Sequence, residues 1–162
     1  MTRISYHEIA LNAAVAAETK VYMDFWENLR RGRLAPAWKD IDLIKLPLFM
    51  VPSTVVVDVI EDPLDFAYRF FDTNHTTTHG YDLTGKSILE LTPRDYAEIT
   101  FEQYRMVLDS RAPKIFLEQF PEKPELWCRY ETTRLPLSSD GKTVDKILAV
   151  ATRLKVMAVQ PL

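Results

Sequence analysis

The spacing of apolar positions along the chain changes several times, and each change marks an element. Near the start, Tyr22, Phe25, Trp26 and Leu29 recur at i, i+3, i+4 and i+7, one face of a helix. Ser5 and Glu8 make a capping-box pattern, in which each side chain satisfies a free backbone N–H. A long helix is therefore predicted over residues 5–31, stopped by Gly32, which accepts the left-handed conformation. Pro36 suits a first helical turn and opens a short second helix, with Trp38 and Ile41, that ends near residue 45.

From residue 54 the pattern changes. Thr54, Val55, Val56, Val57, Val59 and Ile60 are β-branched and predict a strand. Pro52 places that strand at a sheet edge or makes it begin later. Residues 61–65 read as a turn, and Phe66, Tyr68 and Phe70 alternate in a second strand over 66–71, which completes a hairpin. A polar run over 72–79 and the stretch 80–91 follow, read as short helical turns forming a cupped wall beside the sheet. Thr92 as cap and Pro93 in the first turn start an amphipathic helix to about Ser110, carrying Tyr96, Ile99, Tyr104, Val107 and Leu108.

The last third predicts three strands, over 114–120, 125–137 and 143–157. Pro121 and Pro124 separate the first two, and the Asp140-Gly141 turn joins the others, since that pair tolerates positive φ. Ile147, Leu148, Ala149, Val150 and Ala151 are apolar on both faces and need cover on both sides, from the N-terminal helix or a partner subunit. The fold class is α+β: a five-stranded antiparallel sheet with helices inserted between strands 2 and 3, preceded by a long N-terminal helix. Residues 1–45 form the helical segment and 46–162 the core.

Composition narrows the function classes. A chain of 162 residues forms one domain burying roughly 70% of its unfolded surface. Its formal charge of −3 leaves no electrostatic footprint for nucleic acid. Arg30, Arg31 and Arg33 instead complement the dipole at a helix end. The apolar run over 9–17 is too short to span a bilayer and lacks a cleavage pattern. A lone Cys128 forms no internal disulfide, so a cytoplasmic location is expected. No nucleophile elbow, phosphate loop or nicotinamide fingerprint occurs, and four glycines make such loops improbable. The expectation is a non-enzyme.

At this point the chain resembles the PAS superfamily, specifically the PAS-like domain family common in alphaproteobacteria. The resemblance rests on four segments: Trp26-Glu27-Asn28-Leu29-Arg30-Arg31-Gly32-Arg33-Leu34-Ala35-Pro36, Tyr68-Arg69-Phe70-Phe71-Asp72-Thr73, Gly80-Tyr81-Asp82-Leu83-Thr84-Gly85-Lys86 and Leu135-Pro136-Leu137-Ser138-Ser139-Asp140-Gly141. Their order, with a strand pair, a helical middle and three more strands, covers about residues 24–155. Asp72 departs from the pattern, standing where the family is expected to carry a glycine. The resemblance implies a stand-alone sensory module that homodimerises, binds a small molecule, a signalling protein or both, and regulates a separate output protein. The alternative is a small cone-shaped enzyme or carrier for an apolar metabolite.

Candidate pocket residues are Phe70, His75, His79, Tyr81, Tyr96, Tyr104, Phe116, Cys128 and Tyr130. The aromatics among them line a pocket or simply fill the core. His75 and His79, at i and i+4, have the spacing to hold a metal or haem iron, with Asp72 and Asp82 as conceivable oxygen ligands, but no glutamate or third histidine lies near to complete a zinc set. Polar contact with a ligand is their expected role, and no metal site is assigned. No cysteine lies in the helical middle to support flavin photochemistry, so neither haem nor flavin is supported; Cys128 reads as a buried structural thiol. Parity sorts the strand over 125–137 into Trp127, Arg129, Glu131, Thr133 and Leu135 on one face and Cys128, Tyr130, Thr132 and Arg134 on the other. Cys128 and Tyr130 are expected inward and the charged residues toward solvent. An inward Arg129 or Arg134 would select a carboxylate or phosphate. Tyr22, Phe25, Trp26 and Leu29 are the candidate dimer or partner surface, unless they cover the chain's own sheet.

Overall fold

The computed structural model describes residues 4–42, 45, 53–71, 82–123 and 126–158. Six strands form one antiparallel sheet: β1 (Ser5–Ile9), β2 (Thr54–Ile60), β3 (Asp65–Phe71), β4 (Lys114–Lys123), β5 (Leu126–Leu137) and β6 (Lys146–Ala158), ordered β1-β4-β5-β6-β2-β3. Helix α1 (Ala17–Arg30) covers one face, here called outer, and α2 (Arg94–Ser110) covers the inner face.

The sixth strand corrects the sequence reading. Residues 5–9 are extended rather than helical and pair with β4 from Ser5 opposite Gln119 to Ile9 opposite Ile115. Pairing satisfies the backbone edge that β4 would otherwise expose, which outweighs a local capping pattern. Tyr6 meets the Phe116 ring edge-on at 5.8 Å, and Lys114 Nζ lies 2.8 Å from Glu8 Oε2. The helix expected from residue 5 thus begins at Ala17. It ends where expected, with Arg31 (φ 48°) and Gly32 (φ 76°) both left-handed. Arg33 donates to the carbonyls of Leu29 and Arg30, so the arginine cluster serves the helix end.

Other boundaries move for local reasons. Where a helix is predicted from Pro36, the described residues hold a short 3₁₀ turn at Trp38–Asp40, and Ile41 after it is extended. Pro93 is the N-cap of α2, so the helix starts one residue late, and Asp95 Oδ1 accepts from Tyr96 N at 3.0 Å in its first turn. β4 continues through Pro121 to Lys123 with an irregular register there, because an irregular ladder can accommodate a missing N–H. β2 lies inside the sheet, between β3 and β6, and starts after Pro52.

β6 shows why both faces need cover. Ile147 and Ala149 enter the inner core with Val55, Phe66 and Tyr104, while Leu148 and Val150 enter the outer core with Tyr22, Trp26 and Val56. The outer cover is the chain's own α1. Tyr22 hydroxyl bonds Thr54 Oγ1 at 2.7 Å and Trp26 Nε1 donates to Pro136 O at 2.7 Å. Tyr22 and Trp26 are therefore buried within the chain, leaving Phe25 and Leu29 half-buried on α1.

Candidate functional site

The inner face carries a buried ion pair where the sequence reading expected solvent. Arg134 on β5 and Glu118 on β4 share the face of Cys128 and Tyr130, and each side chain is only 4% exposed. Parity fixes this. Glu118 lies between Phe116 and Phe120, both buried, and Arg134 is six residues beyond Cys128, an even step that returns it to the same side. Opposite them on β6 stand Ala149, facing Arg134, and Ala151, facing Thr132. Those two small side chains leave space for a guanidinium under α2.

Helix α2 supplies the lid. Its buried positions Tyr96, Thr100, Gln103, Tyr104 and Val107 recur at helical spacing and face the sheet. The Arg134 guanidinium carbon lies 4.2 Å from the centroid of the Tyr104 ring, a cation–π geometry. Arg134 Nε donates to Gln103 Oε1 at 2.8 Å, and its Nη2 lies 3.6 Å from Glu118 Oε1. Thr132 Oγ1 donates to Glu118 Oε2 at 2.8 Å. Among the described residues, Glu118 Oε1 and Gln103 Nε2 have no hydrogen-bond partner. Buried polar atoms left so are uncommon and costly.

Arg134, Glu118, Thr132, Tyr96, Thr100 and Tyr104 surround a cavity of about 20 Å³, space for roughly one water-sized molecule. Val55, Tyr68, Leu91 and the two β6 alanines complete its wall. Burial pushes the Tyr96 phenol far above the ordinary tyrosine value, and the Glu118 carboxylate adds to the shift. Burial likewise raises Tyr104, against the opposing effect of Arg134. Both phenols therefore remain neutral hydroxyls.

Of the candidate pocket residues, Tyr96 and Tyr104 line the cavity. Phe116, Cys128 and Tyr130 are buried on the same face but outside its wall. Tyr130 stacks on Phe120 with centroids 4.6 Å apart, and its hydroxyl donates to Glu122, which also pairs with Arg153. Burial, reinforced by that Glu122 carboxylate, pushes the Cys128 thiol up, as suits a structural cysteine. Phe70 is corrected to the outer core. Arg69 is an extra residue in β3, since Val56 faces Phe70 while Val57 faces Tyr68, and this bulge turns Phe70 to the α1 side. His75, His79 and Tyr81 lie outside the described residues.

Glu118 and Arg134 are the pair missed as a site. The signal was an acid flanked at i±2 by phenylalanines on a strand. Glu131 is a second correction. It faces the outer core fully buried, accepting from Val15 N (2.9 Å), Ala16 N (3.2 Å) and Thr19 Oγ1 (2.6 Å). It caps α1 from a distant strand, and no local pattern encodes that. Arg69 and Arg129 point to solvent as expected.

Among the described residues, no group of three His, Cys, Asp or Glu is placed to hold a metal ion, and no helix is long and apolar enough to cross a membrane. No family model matches the chain, and no curated protein matches it in sequence. Solved structures do match. A Vibrio cholerae VqmA–ligand–DNA complex aligns over 70% of this chain and 51% of its own, at 16% identity and TM-score 0.55. VqmA bound to DPO aligns over 72% of this chain and 60% of its own, at 14% identity and TM-score 0.53. A Vibrio cholerae VqmA dimer without target DNA, described among LuxR-type receptors, gives 14% identity and TM-score 0.54, over 71% and 52%. This chain thus spans about half to three-fifths of those receptors' length. The shared architecture, one antiparallel sheet with its helical side closing over a central face, is a PAS-like fold.

Proposed function

We propose that the protein is a sensory module whose signal is a small molecule bound between the inner face of the sheet and α2, with the response passed to a protein partner. The observation carrying this reading is the buried Arg134–Glu118 pair, with one carboxylate oxygen unpartnered at a cavity wall. A fold under pressure only to be stable replaces such a pair with apolar groups at little or no cost. VqmA, of the same fold, has been seen with a ligand and as a dimer, which supports sensing over catalysis. DNA binding is not carried over, because a formal charge of −3 offers a polyanion no footprint.

Native mass spectrometry of the protein as purified, with its absorbance spectrum, tests the reading. Extra mass that is lost when Arg134 or Glu118 is replaced supports it. A clean apo protein that binds nothing in a metabolite screen contradicts it.

The partner surface we propose is the outward side of α1. Val21 is 42% exposed there, off the buried stripe of Tyr22 and Trp26. The Val21→Glu variant is expected to shift a dimer to monomer in light scattering without altering thermal stability. An unchanged mass would move the partner surface elsewhere.

A further inference from the structure

We infer that the inner cavity is a hydration site, in which one buried water bridges Glu118 and Arg134 beneath α2 and joins the ion pair in place of a direct contact. This goes beyond the sensing reading and stands or falls apart from it. Size restricts the occupant first. A buried water needs a cavity of about 10–15 Å³, whereas pockets that take organic ligands run from about 300 to about 1,000 Å³. The cavity, at about 20 Å³, therefore takes one water and no organic molecule while α2 sits as described.

Polarity then favours filling it. Among the described residues, the buried Glu118 Oε1 has no hydrogen-bond donor. Arg134 Nη2 lies 3.6 Å from it, too far for a direct hydrogen bond, and a polar gap of that width is where a bridging water fits. After Nε is given to Gln103, the guanidinium still has N–H donors at its Nη atoms. A water donates to Glu118 and accepts from Arg134, and Thr100 on the same wall offers a hydroxyl as third partner. About three hydrogen bonds is usual for a buried water, and the cavities that stay dry are apolar. A small cation would meet the guanidinium and a small anion the carboxylate, and neither finds an unmatched counter-charge. The pair cannot easily close the gap itself. Thr132 holds the other oxygen of Glu118, and Gln103 and the Tyr104 ring hold Arg134. For the sensing reading this sets a condition of entry: a signal molecule between the sheet and α2 must expel the water and move the helix.

A crystal structure of the full chain, at a resolution where ordered waters are visible, tests the site. One peak within hydrogen-bond distance of Glu118 Oε1 and an Arg134 Nη atom is expected. A cavity without density, or a direct Arg134–Glu118 hydrogen bond that closes it, overturns the inference. Ala151, which lines the cavity from β6, gives a check in solution by urea unfolding. Ala151→Val displaces the water with methyl groups that cannot pair Glu118, and is expected to lower the midpoint. Ala151→Ser puts a hydroxyl there instead, and its midpoint is expected to stay closer to the parent's. A midpoint raised by valine, the result for filling a dry void, overturns the inference, as does an equal fall for both variants. The crystal result decides alone if either variant does not fold.

Discussion

Glu131 and Glu118 lie on neighbouring strands, both buried, one on each face of the sheet, and their surroundings treat them in opposite ways. Glu131 receives three hydrogen bonds, two from the backbone opening α1 and one from Thr19. Glu118 receives one, from Thr132, and its second oxygen faces a cavity shared with Arg134. A carboxylate at a helix N-terminus with every oxygen engaged is a structural device. A carboxylate half-engaged beside an arginine, under a helix that closes the cavity, has capacity left for something else. The outer face holds the fold together, and the inner face keeps an opening in it.

The sharpest way to break this comparison is at Glu131. Glu131→Leu leaves three donors unpaired, two of them buried, and is expected to cost about 3 kcal/mol in urea unfolding, with α1 loosened first. Hydrogen exchange should then show faster exchange along α1 and little change in α2. A loss spread evenly over both helices would mean the cap is not local. Next in size is Trp26→Phe, which removes the indole donor to Pro136 O while keeping an aromatic in the outer core; about 1–2 kcal/mol is expected. Tyr22→Phe, losing the bond with Thr54, should cost about 1 kcal/mol by the same measurement.

The smallest effect is set by pH at the β5–β6 turn. Asp140 accepts from Lys142 N, Thr143 N and Ser138 Oγ, which hold its carboxyl down at about 2. Because the folded value lies below the ordinary 3.8, its contribution is fully present above 3.8 and fades as pH falls through about 2. Parent and Asp140→Asn should therefore converge in stability across that window. A carboxyl that titrates at its ordinary value by NMR would contradict this.

The fold was largely legible because its signals are periodic. β-Branched runs marked β2, Asp140-Gly141 marked the last turn, and the doubly apolar β6 foretold cover on both faces. What was not legible depends on distant partners. Residues 5–9 carry a sound local helix-start pattern, yet the free edge of β4, more than a hundred residues away, draws them into the sheet. Phe70 alternates with Phe66 and Tyr68 in sequence, and one extra residue at Arg69 reverses its face. At the site, strand parity placed Arg134 with Cys128 and Tyr130, but general preference sent long charged residues to solvent. That preference fails where two opposite charges are buried together. Among the described residues, the aromatic pocket candidates mostly fill the core, and only Tyr96 and Tyr104 of them reach the cavity.

The most direct test of the contrast between the faces is the urea midpoint of the double variant Glu118→Leu/Arg134→Met against the parent. If the pair is kept for binding, apolar replacements of similar size should leave the midpoint unchanged or raise it, with an unchanged m-value. A fall equal to that of Glu131→Leu would show that the inner pair is structural too and would remove the ground for a ligand site.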